Sequence, residues 1–195
     1  MNRIFLILTA SLLVSCQTLK YDFREKVSDS QTISRLVKDI AEKSISESFQ
    51  IKGLFTRKNS TYRFRVSINT DVEKIELSVF DLSGSILLLD AHYNSSFVRI
   101  NSINSISLPY HEADVLIKIL NYAFSNKQDD CRYYYTRDDF LVVVDKKKNY
   151  YKYNSKKFLI KKENLETSVI YNYKDNVLCS LEVTNSTRKY VFLVE

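Results

Sequence analysis

Between Phe49 and Val79 apolar and polar side chains alternate at every second position, and a period of two commits this part of the chain to a sheet. Phe49, Ile51, Gly53 and Phe55 fall on one face. Tyr62, Phe64, Val66 and Ile68 alternate with Arg63, Arg65 and Ser67, and Ile75, Leu77 and Val79 alternate with Lys74, Glu76 and Ser78. Lys58-Asn59-Ser60 and Asn69-Thr70-Asp71 separate these runs as polar segments of hairpin length, so the three strands are successive and antiparallel. Asp81-Leu82-Ser83-Gly84 makes the next turn. Gly84 is one of only 2 glycines in the chain, which points to a backbone conformation that other residues avoid.

Ser85 to Tyr93 continues the sheet, and its unbroken Ile86-Leu87-Leu88-Leu89 predicts a strand covered on both faces. Phe97, Val98 and Ile100 follow. After Pro109 the period becomes helical: His111 to Phe124 puts Val115, Leu116, Ile119, Leu120 and Ala123 on one stripe, with Glu112 and Asp114 in the favoured first turn. An earlier helix runs from about residue 31 to 45 on Ile33, Leu36, Val37, Ile40 and Ala41, with Asp29 or Ser30 as its cap. From Arg132 the chain is a meander. Its strands are Arg132 to Tyr135, Asp139 to Val144, Tyr150 to Tyr153, Lys157 to Lys161, Thr167 to Tyr173, Val177 to Val183 and Lys189 to Val194. With no helices between them these strands pair antiparallel. The expected fold is mainly β (α+β): a curved antiparallel sheet or half-open β-barrel of about 11 strands closed by two or three helices.

Hydrophobic residues at 45%, with 14 Tyr and 11 Phe, exclude a disordered chain. The net charge of +6 is spread along the sequence. Mild basicity suits an anionic membrane surface as well as nucleic acid, and most of these lysines are expected on solvated strand faces.

The first residues decide where the chain resides. Arg3 supplies a positive start, Ile4 to Val14 are apolar except Thr9 and Ser11, and a small residue, Ser15, precedes Cys16. This is the layout of a signal peptide. A run of about a dozen residues is too short for a hydrocarbon core of about 30 Å. Leu13-Val14-Ser15-Cys16 resembles the lipobox of bacterial lipoproteins. The resemblance implies cleavage between Ser15 and Cys16, a diacylglycerol on the Cys16 thiol, and a further acyl chain such as palmitate on its amino group. Gln17 stands where an aspartate would favour inner-membrane retention, which implies outer-membrane sorting with the body facing the periplasm. Export makes nucleic acid an improbable partner. Losing residues 1–15 leaves 180 residues with 28 basic and 23 acidic side chains, a size met by one domain. The expected division is a signal at 1–15, a lipidated tether at 16–30 and a single β domain at 31–195.

Cys131 and Cys179 remain. In an oxidising compartment they form either a disulfide or two separate buried thiols, and the sequence leaves both open. Catalytic chemistry finds little footing. His92 and His111 are the only histidines, Glu112 and Asp114 stand near His111, and no zinc spacing or nucleophile elbow occurs. Tyr133-Tyr134-Tyr135 and Tyr150-Tyr151 are ordinary strand formers. No cofactor or metal is implied and the chain reads as a non-enzyme. Strands apolar on both faces allow either a hydrophobic cavity under helical lids or a filled core. The cavity candidates are Leu77, Val79, Ile86, Leu88, Val142, Val144 and Leu181.

Several of these segments together resemble the LolA/LolB superfamily of lipoprotein carriers. The resemblance rests on the lipobox cysteine, the early helix, Phe49-Gln50-Ile51-Lys52-Gly53-Leu54-Phe55, Tyr62-Arg63-Phe64, Asp81-Leu82-Ser83-Gly84-Ser85-Ile86-Leu87 and Asp114-Val115-Leu116-Ile117-Lys118-Ile119-Leu120. In size and spacing the chain is most similar to a branch of LolB-like outer-membrane lipoproteins, some encoded with aryl-polyene lipid biosynthesis. The resemblance implies a half-open barrel with a cavity for acyl chains, and partners that are a membrane, an acyl-type ligand or lipoprotein, and a periplasmic carrier. The chain departs from LolB in having no Trp and no clear counterpart of its protruding apolar loop. The function expected is binding of an acyl chain or other hydrophobic ligand for transport to the outer membrane. The alternative is a structural or assembly lipoprotein acting through protein partners.

Overall fold

The computed structural model describes residues 21–43, 48–57, 60–69, 74–94, 97–103, 110–125, 128, 130–185 and 188–194. Ser15 and Cys16 lie outside the described residues, and so does the signal segment. The described residues form thirteen strands and two helices: β1 (Phe23–Val27), α1 (Ser30–Lys43), β2 (Ser48–Arg57), β3 (Ser60–Asn69), β4 (Lys74–Phe80), β5 (Leu87–Asn94), β6 (Phe97–Ile103), α2 (Tyr110–Phe124), β7 (Arg132–Thr136), β8 (Leu141–Val144), β9 (Tyr150–Tyr153), β10 (Leu159–Glu163), β11 (Thr167–Lys174), β12 (Val177–Asn185) and β13 (Arg188–Val194).

All thirteen strands belong to one antiparallel sheet in the order β1-β7-β8-β9-β10-β11-β12-β13-β2-β3-β4-β5-β6. It is two meanders joined at a seam. One runs outward from β2 to the edge at β6, the other returns from β7 to β13, and β13 pairs with β2 through Phe192–Phe55 and Leu193–Leu54. The sheet does not close, and β1 and β6 are its edges. At the seam the two backbones are so close that a Cβ on Gly53 would stand 1.7 Å from the carbonyl oxygen of Leu193, so only glycine fits.

Laid flat, thirteen strands at about 4.8 Å spacing would be about 60 Å wide, far more than helices about 10 Å thick can cover. The sheet therefore curls. One apolar cluster takes Phe64 and Val66 from β3, Leu77 and Val79 from β4, Leu181 and Val183 from β12 and Leu116, Ile117 and Leu120 from α2. Strands from both meanders thus contribute to the core into which α2 packs. A second, smaller cluster packs Leu36 of α1 on Val27, Tyr133, Val143, Tyr151 and Tyr153. Asp29 is the cap of α1: its side chain accepts the Thr32 N–H at 2.7 Å, and hydrogen bonding from the Thr32 side chain first and from that N–H second holds the Asp29 carboxyl below its ordinary range.

Two expectations change, and one open alternative is decided. The tether expected at 16–30 is partly sheet, because β1 pairs with β7 and the Phe23 ring stacks on Tyr134 at 4.5 Å. Only Val27 of β1 is buried, so this strand has no apolar period to read. Ile86 and Leu87 are exposed and not covered, because they leave the β4–β5 turn before the strand is fully enclosed. Cys131 and Cys179 are not bridged: one precedes β7, the other sits on β12 with β8 to β11 between, and the Cys179 thiol donates to the Asn172 carbonyl at 3.2 Å.

Candidate functional site

Four of the seven cavity candidates come together. Leu77 and Val79 of β4, Leu88 of β5 and Leu181 of β12 lie in the cluster around α2, at 0 to 5% exposure. The other three are elsewhere. Val142 is fully buried but lies outside both clusters, in the row it shares with Tyr134 and Lys152, on the side where the Phe23 and Tyr134 rings stack. Val144 ends β8 and is half-buried. Ile86 is 56% exposed because its N–H is drawn to the Asp81 carboxylate in the turn, 2.9 Å away. The four that meet face α2 in close packing.

What holds α2 in place was not foreseen. Lys162 of β10 belongs to the inward-facing row with Val169 and Tyr151, and it is 2% exposed. Its ammonium donates to the carbonyls of Tyr122 at 2.6 Å and Ser125 at 2.7 Å, the last turn of α2 and the residue after it. Those carbonyls have no partner within the helix, and a cation there meets the negative end of the helix dipole. The same Nζ lies 4.5 Å from the Tyr122 ring centre and 5.1 Å from that of Tyr151. Beside it, Tyr171 donates its hydroxyl to the Ala123 carbonyl at 2.5 Å. Two side chains of the returning meander therefore grip the end of a helix whose apolar residues pack on the outgoing one.

The surroundings are polar and buried. Asp145 accepts from the Asn149 N–H at 2.9 Å, the Asn149 amide at 2.8 Å and the Tyr151 hydroxyl at 3.1 Å. Gln128 donates to the Tyr153 hydroxyl at 2.6 Å. The Tyr122 hydroxyl is buried and finds no hydrogen-bond partner among the described residues. Burial drives the Lys162 ammonium down to about 7, against the pull of Asp145. Burial first, then the charges of Asp145 and Glu163, raises Tyr122 well above a free phenol. Lys162 ends as a latch on a helix, where the sequence reading placed lysines on solvated faces. Nothing in Leu159-Ile160-Lys161-Lys162-Glu163 marks which lysine turns inward, since that depends on register with Tyr151 and Val169.

A second feature is the β4–β5 turn. Leu82, Ile86 and Leu87 are 55%, 56% and 45% exposed on a rigid loop. Asp81 takes the N–H groups of Ser85 and Ile86 at 2.9 Å each and the Ser83 hydroxyl at 2.5 Å. These bonds, that to Ser83 first, hold the Asp81 carboxyl low. Gly84 has φ +80°, the left-handed conformation its scarcity suggested. Arg63 donates to the Leu82 carbonyl at 2.7 Å. Three aliphatic side chains stand out here because a hydrogen-bonded turn, invisible to periodicity, turns them outward.

The histidines stand apart from this site. His111 is exposed in the first turn of α2, and His92 lies between Glu76 at 3.7 Å and Asp90 at 3.8 Å on β4 and β5. Among the described residues no three His, Cys, Asp or Glu side chains are grouped to hold a metal, and no helix is long and apolar enough to cross a membrane. Compared with protein-family models and with curated proteins, the sequence matches none.

Proposed function

We propose that this chain is a membrane-anchored lipoprotein, acylated at Cys16, that holds an acyl chain or similar apolar ligand inside its curled sheet. It would serve lipid, lipoprotein or polyene-lipid transport at the outer membrane. The observation that carries this reading is the seating of α2. The helix packs into the core that both meanders share and is gripped by polar bonds at its C-terminal end, while Leu116, Ile117 and Leu120 meet the sheet through apolar packing. Apolar packing is non-directional, so an alkyl chain can take the place of one helix flank with little loss. Each Å² of tail surface removed from water contributes about 25 cal/mol. The exposed Leu82, Ile86 and Leu87 suit the same reading, as a greasy tip presented to a lipid surface.

A second reading has an observation of its own. Leu77, Val79 and Leu181 are at 0 to 1% exposure, as in a filled core, which favours an assembly lipoprotein working through protein partners. Native mass spectrometry of the full chain extracted from membranes separates the two. Lipid that co-purifies, and is lost when Leu77→Trp crowds the packing between β4 and α2, supports the carrier; a folded, acylated and ligand-free protein overturns it.

A further inference from the structure

Strand direction alone gathers several turns at one rim of the sheet. β8 ends and β9 begins there, as do β10 and β11, and β4 and β5. The β8–β9 turn presents Lys146, Lys147 and Lys148, all exposed. It is a tight turn: the Lys148 N–H reaches the Asp145 carbonyl at 3.0 Å, the Asp145 N–H reaches that of Asn149 at 3.1 Å, and Lys148 takes φ 60°. Asp145 is buried and engaged by Asn149 and Tyr151, so its charge points away from the lysines. The neighbouring β10–β11 turn, tied to the first by Asn164 and Asn149 at 3.4 Å, carries Leu165, at 80% the most exposed large apolar residue described. Of the nearby acids, Glu163 is buried between Tyr21 and Lys161, and Glu166 alone is exposed. The opposite rim mixes signs, with Asp138, Asp139 and Asp175 beside Arg137, Lys156 and Lys157.

The backbone before β1 lies at the opposite rim, where the Arg137 N–H reaches the Asp22 carbonyl at 3.2 Å and the Arg137 side chain pairs with the Asp22 carboxylate at 3.0 Å, but the side chain of Tyr21 extends toward the lysine turn. The Tyr21 ring stacks on Tyr150 at 5.5 Å, and its hydroxyl donates to Glu163. Tyr150 follows the lysine turn directly. Five Cα steps from Tyr21 back to Cys16 span at most about 18 Å.

We propose that this rim rests on an anionic lipid surface, with Lys146, Lys147 and Lys148 among the head groups and Leu165 entering the interface. The proposal depends on acylation of Cys16 and adds to it an orientation. A short tether keeps the body close to the bilayer, where clustered basic side chains are drawn to anionic lipid. Leu165 then meets the region that accepts apolar side chains.

The chain has no Trp, so a single one reports without background. Leu165→Trp, and Val177→Trp at the start of β12 on the opposite rim as the control, are reconstituted as full acylated chains in vesicles. The vesicles are phosphatidylcholine alone or with one part in four phosphatidylglycerol, and carry a spin-labelled quenching lipid. Quenching of Leu165→Trp roughly threefold above that of Val177→Trp is expected with phosphatidylglycerol at low salt. It is expected to fall in high salt and with Lys146→Glu, Lys147→Glu and Lys148→Glu combined. Equal quenching at both positions, or quenching indifferent to phosphatidylglycerol, overturns the rim contact. If the chain still floats with vesicles and carries acyl mass in that case, the anchor stands; a chain with neither overturns both.

Discussion

The meanders β2–β6 and β7–β13 belong to one sheet, yet they bury different chemistry. The first packs Phe64, Val66, Leu77, Val79 and Leu89 against α2, with no buried polar or charged side chain among its described residues. The second buries Thr136, Asp145, Lys162, Glu163 and Thr167 among tyrosines, and it holds every such residue described. Aliphatic burial is non-directional and indifferent to pH. A buried polar group must find its own partner, and it responds to protonation. Helix α2 spans both regimes: its flank is held by the first and its end by the second.

Breaking the seam between the halves gives the largest effect. Gly53→Ala drives a Cβ into the Leu193 carbonyl, where neither backbone can yield without unpairing β2 from β13. A loss of upward of about 3 kcal/mol, beyond ordinary overpacking, is expected in urea unfolding. A variant within about 0.5 kcal/mol of the parent would show that the meanders are not joined this way. Within the aliphatic half, Leu77→Ala should cost about 2–5 kcal/mol, as large-to-small changes in a packed core do. Its cost should be the same at pH 6 and pH 9, since its cluster is made of aliphatic and aromatic side chains with no histidine, lysine or carboxylate among them.

The polar half should behave otherwise. Lys162 in the folded state releases its proton near 7, whereas in the unfolded chain it keeps it to about 10.5. Between those values the unfolded state binds more protons, so stability rises with pH, by at most about 1.4 kcal/mol per unit. Above about pH 10 the sign reverses, because buried Tyr151, Tyr153 and Tyr171 hold their protons after unfolded tyrosines have lost theirs. Stability should therefore peak between these limits. In Lys162→Met the rise from pH 7 to pH 10 should vanish and the fall above it remain; an unchanged slope in the variant would place the titrating group elsewhere.

The two halves were also unequally legible in the sequence. Tyr62-Arg63-Phe64 and Ile75-Glu76-Leu77 announced β3 and β4 because one face is apolar and the other wet, which is what a period of two records. Helix α2 was legible within a residue for the same reason. β1 was not, since a strand held by its ladder and by one aromatic stack leaves no alternation. Of the site, the apolar wall was readable at Leu77, Val79, Leu88 and Leu181. The latch was not: Lys161 and Lys162 are identical in sequence, and only pairing with Tyr151 and Val169 sends one outward to Glu163 and the other inward to the helix end.

The smallest effect tests the hydroxyls one at a time. Tyr122 and Tyr171 both approach the end of α2, but Tyr171 donates to the Ala123 carbonyl while the Tyr122 hydroxyl has no partner among the described residues. A net hydrogen bond contributes about 1 kcal/mol, and a buried polar group without one costs about as much. Tyr171→Phe should thus destabilise by about 1 kcal/mol, leaving the Ala123 carbonyl unsatisfied, while Tyr122→Phe should be neutral or stabilising by up to about 1 kcal/mol. The ring of Tyr122 stays beneath Lys162 in both cases, so the cation–π contact is retained and the difference isolates the hydroxyl. If Tyr122→Phe proves the costlier change, its hydroxyl has a partner that matters, and the polar half is more fully satisfied than its geometry implies.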